Sequence, residues 1–163
     1  MSTQTRDIVR RHMAFVHQAI QKLVIDVTEE ESLRTVANNP NHIKWLTGHM
    51  VYTTVLAGKA LGGKISLPEG WEELFRTGAE VTRHQNAFPP MELIRERLVD
   101  YQTMIQEFIE HVDDADLVSE VDIAPGWRSP RASAVLFLTA HDFYHAGQIA
   151  MIRRELGRER SFG

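Results

Sequence analysis

A chain of 163 residues, 43% hydrophobic and 25% charged, has the make-up of one globular domain with a sizeable core and is neither disordered nor fibrous. Cysteine is absent, which excludes disulfides, thiolate ligands and cysteine nucleophiles, so a metal must be held by His, Asp or Glu. A net charge of −4 without a basic, aromatic-studded face argues against nucleic acid, and the lack of a secretory h-region or a bilayer-long apolar run makes a cytoplasmic location the expectation, with no membrane partner.

The elements follow from apolar spacing. Between Arg6 and Val27, Ile8, Phe15, Ala19 and Leu23 step by three or four, which predicts a first amphipathic helix with His12 on its buried stripe. Thr28 followed by Glu31 reads as a capping box opening a short helical turn that ends at NNPN. A second helix, HIKWLTGHMVYTTVLAGKAL, stops at Gly62 and Gly63. The stretch to Pro90 holds a short helical piece, GWEELFRTG, and is long enough to travel the length of a bundle, which permits the second and third helices to run parallel.

The third helix carries Met91, Ile94, Leu98, Tyr101, Ile105, Phe108 and Val112 in unbroken steps of three and four. After DDADLVSEVDIAPGWRSP, where no strand pattern is convincing, a fourth helix runs from about Ala132 to Leu156 and stops at Gly157 as C′ residue. It is apolar almost all round and is expected to be the most buried. The reading is an all-α, single-domain chain over 1–163: a four-helix bundle with a long connection between its second and third helices and short helical pieces in the loops.

Chemistry concentrates in HDFYHAGQIA. His141 and His145 lie one helical turn apart on a face shared with Ala134, Leu138, Ile149 and Ile152, so both rings point inward. Buried imidazoles must satisfy their nitrogens, and a shared metal does this for both. His49, on a second-helix face with Trp45, Leu46, Tyr52, Thr53 and Leu56, is the best third ligand. His42 lies about 10 Å along the axis, too far to join, and reads as surface at the helix start. His12 is the rival candidate. His17, His84 and His111 fall in polar surroundings and read as solvated. Gln148 stands near the His141 direction, suited to support a ligand or touch substrate, whereas Asp142 points away towards a packing or interface role.

These segments resemble the DinB/YfiT-like four-helix-bundle metalloproteins. NHIKWLTGHM is similar to their second-helix segment, with Trp four residues before a ligating His, and HDFYHAGQIAMIRRELG to their fourth, His-x-x-x-His with Gly-Gln and an Arg-rich end; Ala146 stands where the family usually has Arg. The resemblance implies a metal triad of His49, His141 and His145, an overhand connection between the second and third helices that makes the bundle up-down-down-up, and a homodimer. It also implies a thiol-dependent S-transferase-like activity, as in members using bacillithiol or mycothiol.

Three protein ligands leave coordination positions open, as in a catalytic site. Neutral imidazoles leave the ion its full charge, so a bound thiol or water would be strongly acidified. The set suits zinc or nickel, with iron, cobalt and manganese as alternatives. The expected function is transfer of a low-molecular-weight thiol to a small electrophile. The alternatives are a non-catalytic ligand-binding or stress-related protein and a small-molecule hydrolase. A zincin protease is set aside because Asp142 replaces the Glu of His-Glu-x-x-His. Ser133, Ala140 and Gly147, with Ala132, Ala146 and Ala150, make a small-residue face on the fourth helix. A homodimer is expected there or on a neighbouring first-helix surface, with Asp142 and Arg153 at the edge of the contact.

Overall fold

The computed structural model describes residues 5–36, 39–82 and 84–161. Four long helices, α1 (Thr5–Val24), α2 (Ile43–Ala60), α4 (Met91–Glu110) and α6 (Arg131–Glu155), carry the bundle. Short α3 (Trp71–Phe75) and α5 (Asp114–Leu117) lie in the connections. Contacts run around the square α1, α6, α2, α4. Tie points fix the directions. Gly58 faces Ile105 and Gly63 faces Phe108, so α2 and α4 are parallel; Thr53 meets Asp142 and Ala60 meets Arg131, so α2 and α6 are antiparallel; Phe15 meets Phe143 and Leu23 meets Arg153, so α1 and α6 are parallel. The bundle is therefore up-down-down-up, and residues 62–90 are the overhand crossover. No helix among the described residues is long and apolar enough to cross a membrane.

Local chemistry sets the boundaries. The Thr28–Glu31 capping box forms reciprocally: the Thr28 N–H donates to Glu31 Oε2 at 3.0 Å and the Glu31 N–H to Thr28 Oγ1 at 3.2 Å. It opens a 3₁₀ turn over Glu31–Leu33; of NNPN, residues 39–41 are described, and Asn39 Oδ1 accepts from the Asn41 N–H. Gly157, at φ 78°, ends α6, with its N–H and that of Arg158 returning to the carbonyls of Arg154 and Arg153.

Three expectations are corrected. The buried stripe of α1 is Val9, Met13, Val16, Ile20, Leu23 and Val24; Ile8 and Phe15 face solvent, and His12 sits half-buried at the edge. Both stripes step by three and four, so spacing alone does not choose between them. A two-stranded antiparallel hairpin, β1 (Glu120–Ala124) and β2 (Trp127–Pro130), turns at Gly126 with φ 78°. Its Val121 and Ile123 alternate inward onto the core, a period-2 pattern too short to stand out. Finally, α2 rather than α6 is the helix buried nearly all round, with only Tyr52, Leu56 and Lys59 outside its buried set. It is α6 that keeps Ser133, Phe137, Ala140, Tyr144, Gly147 and Met151 exposed.

Candidate metal centre

His49 projects from α2, and His141 and His145 from successive turns of α6, where the two helices cross antiparallel. One ring nitrogen from each lies within 4.8 Å of the others. His49 and His145 are buried; the His141 side chain keeps 30% of its surface and opens the cluster to solvent.

The outer ring nitrogens set the tautomers. His49 Nδ1 is 2.6 Å from the Phe75 carbonyl, which only accepts, so Nδ1 carries the proton and Nε2 presents its lone pair inward. His145 Nδ1 donates to Gln148 Oε1 at 3.1 Å, with the same result. His141 Nδ1 makes no hydrogen bond but lies 3.6 Å from the buried carboxylate of Asp142, close enough for charge attraction. The Nε2 atoms of His141 and His145 are 3.1 Å apart. Lone pairs converging at that distance require a proton or a cation between them. A cation holding tetrahedral imidazoles at 2.0–2.1 Å separates them by about 3.3 Å, so the donor set fits one.

Electrostatics keep the ligands in their binding form. Burial pulls His49 down to about 4, opposed by the Phe75 carbonyl and assisted by His145 and His141; burial also lowers His145. Both are neutral near pH 7, as ligation needs. Asp142 is pushed up to about 6 by burial, opposed by the neighbouring His141 ring and by the Thr53 hydroxyl.

Packing holds the His49 ring. Trp45 stacks on it at 4.9 Å with planes 7° apart, and the Trp45 indole N–H donates to the Leu74 carbonyl at 3.0 Å. Gly48 lets Phe75 approach: a Cβ there would sit 2.1 Å from the Phe75 ring. Neither Gly48 nor Phe75 was among the sequence candidates, because their roles depend on a contact between α2 and the crossover.

The other candidates separate. His12 lies outside the cluster, with a buried Nε2 lacking a partner. His42 is fully buried, not surface: its Nδ1 caps α2 by accepting from the Trp45 N–H at 3.1 Å, and its Nε2 donates to the Thr82 carbonyl at 2.9 Å. His17 is also buried, between α1 and α4, against the solvated reading; His84 and His111 are exposed. Asp142 and Arg153 are interior too, rather than at an interface edge. Asp142 accepts from the Thr53 hydroxyl, and Arg153 bonds the Leu23 carbonyl and Asp26.

The sequence pattern of the DinB superfamily matches residues 12–149, which span α1 through most of α6 and include all three histidines. This chain belongs to the DinB superfamily. No curated protein matches it. Among solved structures, a DinB-like protein from Bacillus cereus is similar at 18% identity, with TM-score 0.65 over 90% of this chain and 89% of that one. A conserved protein from Enterococcus faecalis is similar at 13% identity, with TM-score 0.70 over 96% of this chain and all of the other. At these identities the likeness is one of fold, and it spans essentially the whole DinB domain.

Proposed function

We propose that His49, His141 and His145 hold one divalent cation, zinc or nickel, through their Nε2 atoms, and that this DinB-superfamily protein uses it in the cytoplasm to transfer a low-molecular-weight thiol to a small electrophile. The observation that carries the reading is the convergence of three imidazole nitrogens, with the Nδ1 atoms of His49 and His145 held by Phe75 and Gln148 and that of His141 near Asp142. When bound, the cation supplies Lewis acidity that lowers the pKa of a thiol or water at its open positions.

The chain's own residues have simpler tasks. The Phe75 carbonyl and the Trp45 ring orient His49; Gln148 orients His145; half-buried His141 marks the side from which a small molecule approaches. Sulfur of the thiol forms the new bond to carbon, its proton passes to solvent, and the leaving group departs with the broken bond's electron pair. Bacillithiol and mycothiol are the thiols to try first.

Metal analysis tests the site. One ion per chain is expected in the wild type and a clear loss in His49→Ala and His145→Ala; unchanged content in both rejects it. Activity is tested by titrating bacillithiol, mycothiol, glutathione and coenzyme A into cobalt-loaded protein while following sulfur-to-metal absorption, then adding electrophiles. Absence of thiol binding at millimolar concentration rejects the transferase. Binding without turnover supports the ligand-binding alternative, and ester turnover without thiol the hydrolase.

A further inference from the structure

The side of the bundle away from the histidine cluster carries polar groups where packing alone asks for apolar ones. There α1 meets α4, across the square from the α2–α6 pair. Between them runs a groove of about 340 Å³, lined by His17, Gln18 and Gln21 of α1 and by Gln102, Thr103 and Gln106 of α4. Gln102 belongs to the buried stripe of α4 with Leu98, Ile105 and Ile109, and is its one polar member. It is 1% exposed and His17 is 4% exposed, so both have given up water.

Each of the two keeps a nitrogen without a partner. The Gln21 amide donates to Gln102 Oε1 at 2.8 Å, while Gln102 Nε2 bonds nothing. His17 Nδ1 accepts from the Gln106 amide at 3.3 Å, so its Nε2 carries the ring proton, and that N–H also lacks a partner. Buried donors are nearly always paired, because an open one keeps the full cost of losing water. Two in one groove, each oriented by a glutamine from the facing helix, make a constellation of N–H groups waiting for an acceptor.

We propose that this groove is a binding site for an uncharged small molecule with a carbonyl beside an N–H, a lactam or cyclic ureide. Gln102 and His17 supply donors for the carbonyl oxygen. Gln21 and Gln106, part-buried at the rim, commit their amide nitrogens to Gln102 and His17 and keep their side-chain oxygens as acceptors for the ligand's N–H. Charge selects against the obvious rivals. Among the described residues no Asp, Glu, Lys or Arg lines the groove, and His17 is held neutral, its pKa lowered to about 4 by burial and then by His12. A carboxylate, phosphate or ammonium would enter with no counter-charge, which is costly; a neutral amide would not. The volume lies at the low end for small-molecule sites and suits a single ring. The inference is independent of which ion or substrate the histidine cluster takes.

Titration of pyrrolidinone into the chelator-treated full chain, followed by proton–nitrogen correlation spectra of the side-chain amides and imidazoles, tests it. Saturable shifts of the Gln102 amide and the His17 Nε2–H are expected, with a Kd of about 1–10 mM for so small a ring. N-methylpyrrolidinone, which has the carbonyl and no N–H, is expected to bind about tenfold more weakly, and acetate not at all. Gln102→Leu removes one donor and is expected to weaken pyrrolidinone about tenfold with unchanged helical circular dichroism. Thr103→Trp fills the groove from an exposed position, leaves the buried groups in place, and is expected to abolish binding; it decides the matter should Gln102→Leu fold poorly. Absence of saturable shifts up to about 100 mM, the mark of donors satisfied by an ordered water alone, overturns the proposal. So does acetate binding as well as pyrrolidinone, or pyrrolidinone binding unchanged in Thr103→Trp.

Discussion

Acidification is expected to destabilise this protein through His17, a residue with no part in the histidine cluster. Its ring is buried between α1 and α4; Nδ1 accepts from the Gln106 amide at 3.3 Å and Nε2 has no partner. Burial, then the neighbouring His12, pulls its pKa from 6.5 to about 4. Between those values the unfolded chain binds a proton that the folded protein refuses, so stability falls as pH falls. The contribution is intact above pH 6.5, and the whole difference of about 2.5 pH units corresponds to about 3 kcal/mol. At pH 4.5 about 2.5 kcal/mol of it is already lost.

Two other buried groups titrate in the same window. His49, also held to about 4, adds a loss of similar size in metal-free protein. Asp142 works the other way: with its pKa raised to about 6, the folded state holds the extra proton, and acidification from 6 towards 3.8 stabilises by about 3 kcal/mol. A variant isolates the His17 share. His17→Gln keeps an amide within reach of Gln106 and cannot take up a proton. Urea unfolding of chelator-treated wild type and variant at pH 7 and pH 4.5 is the assay. The wild type is expected to lose about 2.5 kcal/mol more than the variant between those pH values, a midpoint difference of about 1 M urea. Parallel losses in the two proteins refute the reasoning.

Gln148→Leu removes the acceptor for His145 Nδ1 from a partly exposed position; metal affinity, measured by chelator competition, is expected to fall about 10–100-fold with unchanged helical content. Gly48→Ala gains about 1 kcal/mol of helix propensity but drives a Cβ into the Phe75 ring, an overpacking cost of about 1–3 kcal/mol. Displacing Phe75 also weakens its carbonyl's hold on His49, so a lower melting temperature and weaker metal binding are expected together; a fall in one alone counts against the coupling.

Helical spacing and the order of the histidines were enough to bring His49, His141 and His145 to one point, because two residues a turn apart share a face whatever surrounds them. Spacing failed where a residue's environment depends on distant chain. The α1 sequence holds two apolar stripes, and only docking against α6 and α4 decides that Val9, Met13 and Val16 go in while Ile8 and Phe15 stay out. His17 looked solvated from its polar surroundings and His42 looked like surface at the start of a helix, yet both are buried by neighbours in space. On α6 the apolar content was plain, yet its outward direction was not, since an all-round apolar helix names no preferred side.

The overhand crossover has a chemical consequence as well as a topological one. Because α2 and α4 are parallel, the chain must travel back along the bundle between them, and that return path lays the C-terminal end of α3 and the irregular chain after it, whose carbonyls are free of helix partners, beside the first half of α2. Three of these carbonyls find α2 rings. Leu74 takes the Trp45 indole N–H, Phe75 takes His49 Nδ1–H, and Thr82 takes His42 Nε2–H. A short antiparallel connection would have left those N–H groups to water, with the His49 tautomer unset. In an up-down-down-up bundle the ligand on α2 is therefore oriented by the segment the topology requires, whereas the α6 ligands find Gln148 and Asp142 on their own helix. Orienting His49 and His145 before any ion arrives lowers the cost of assembling the site.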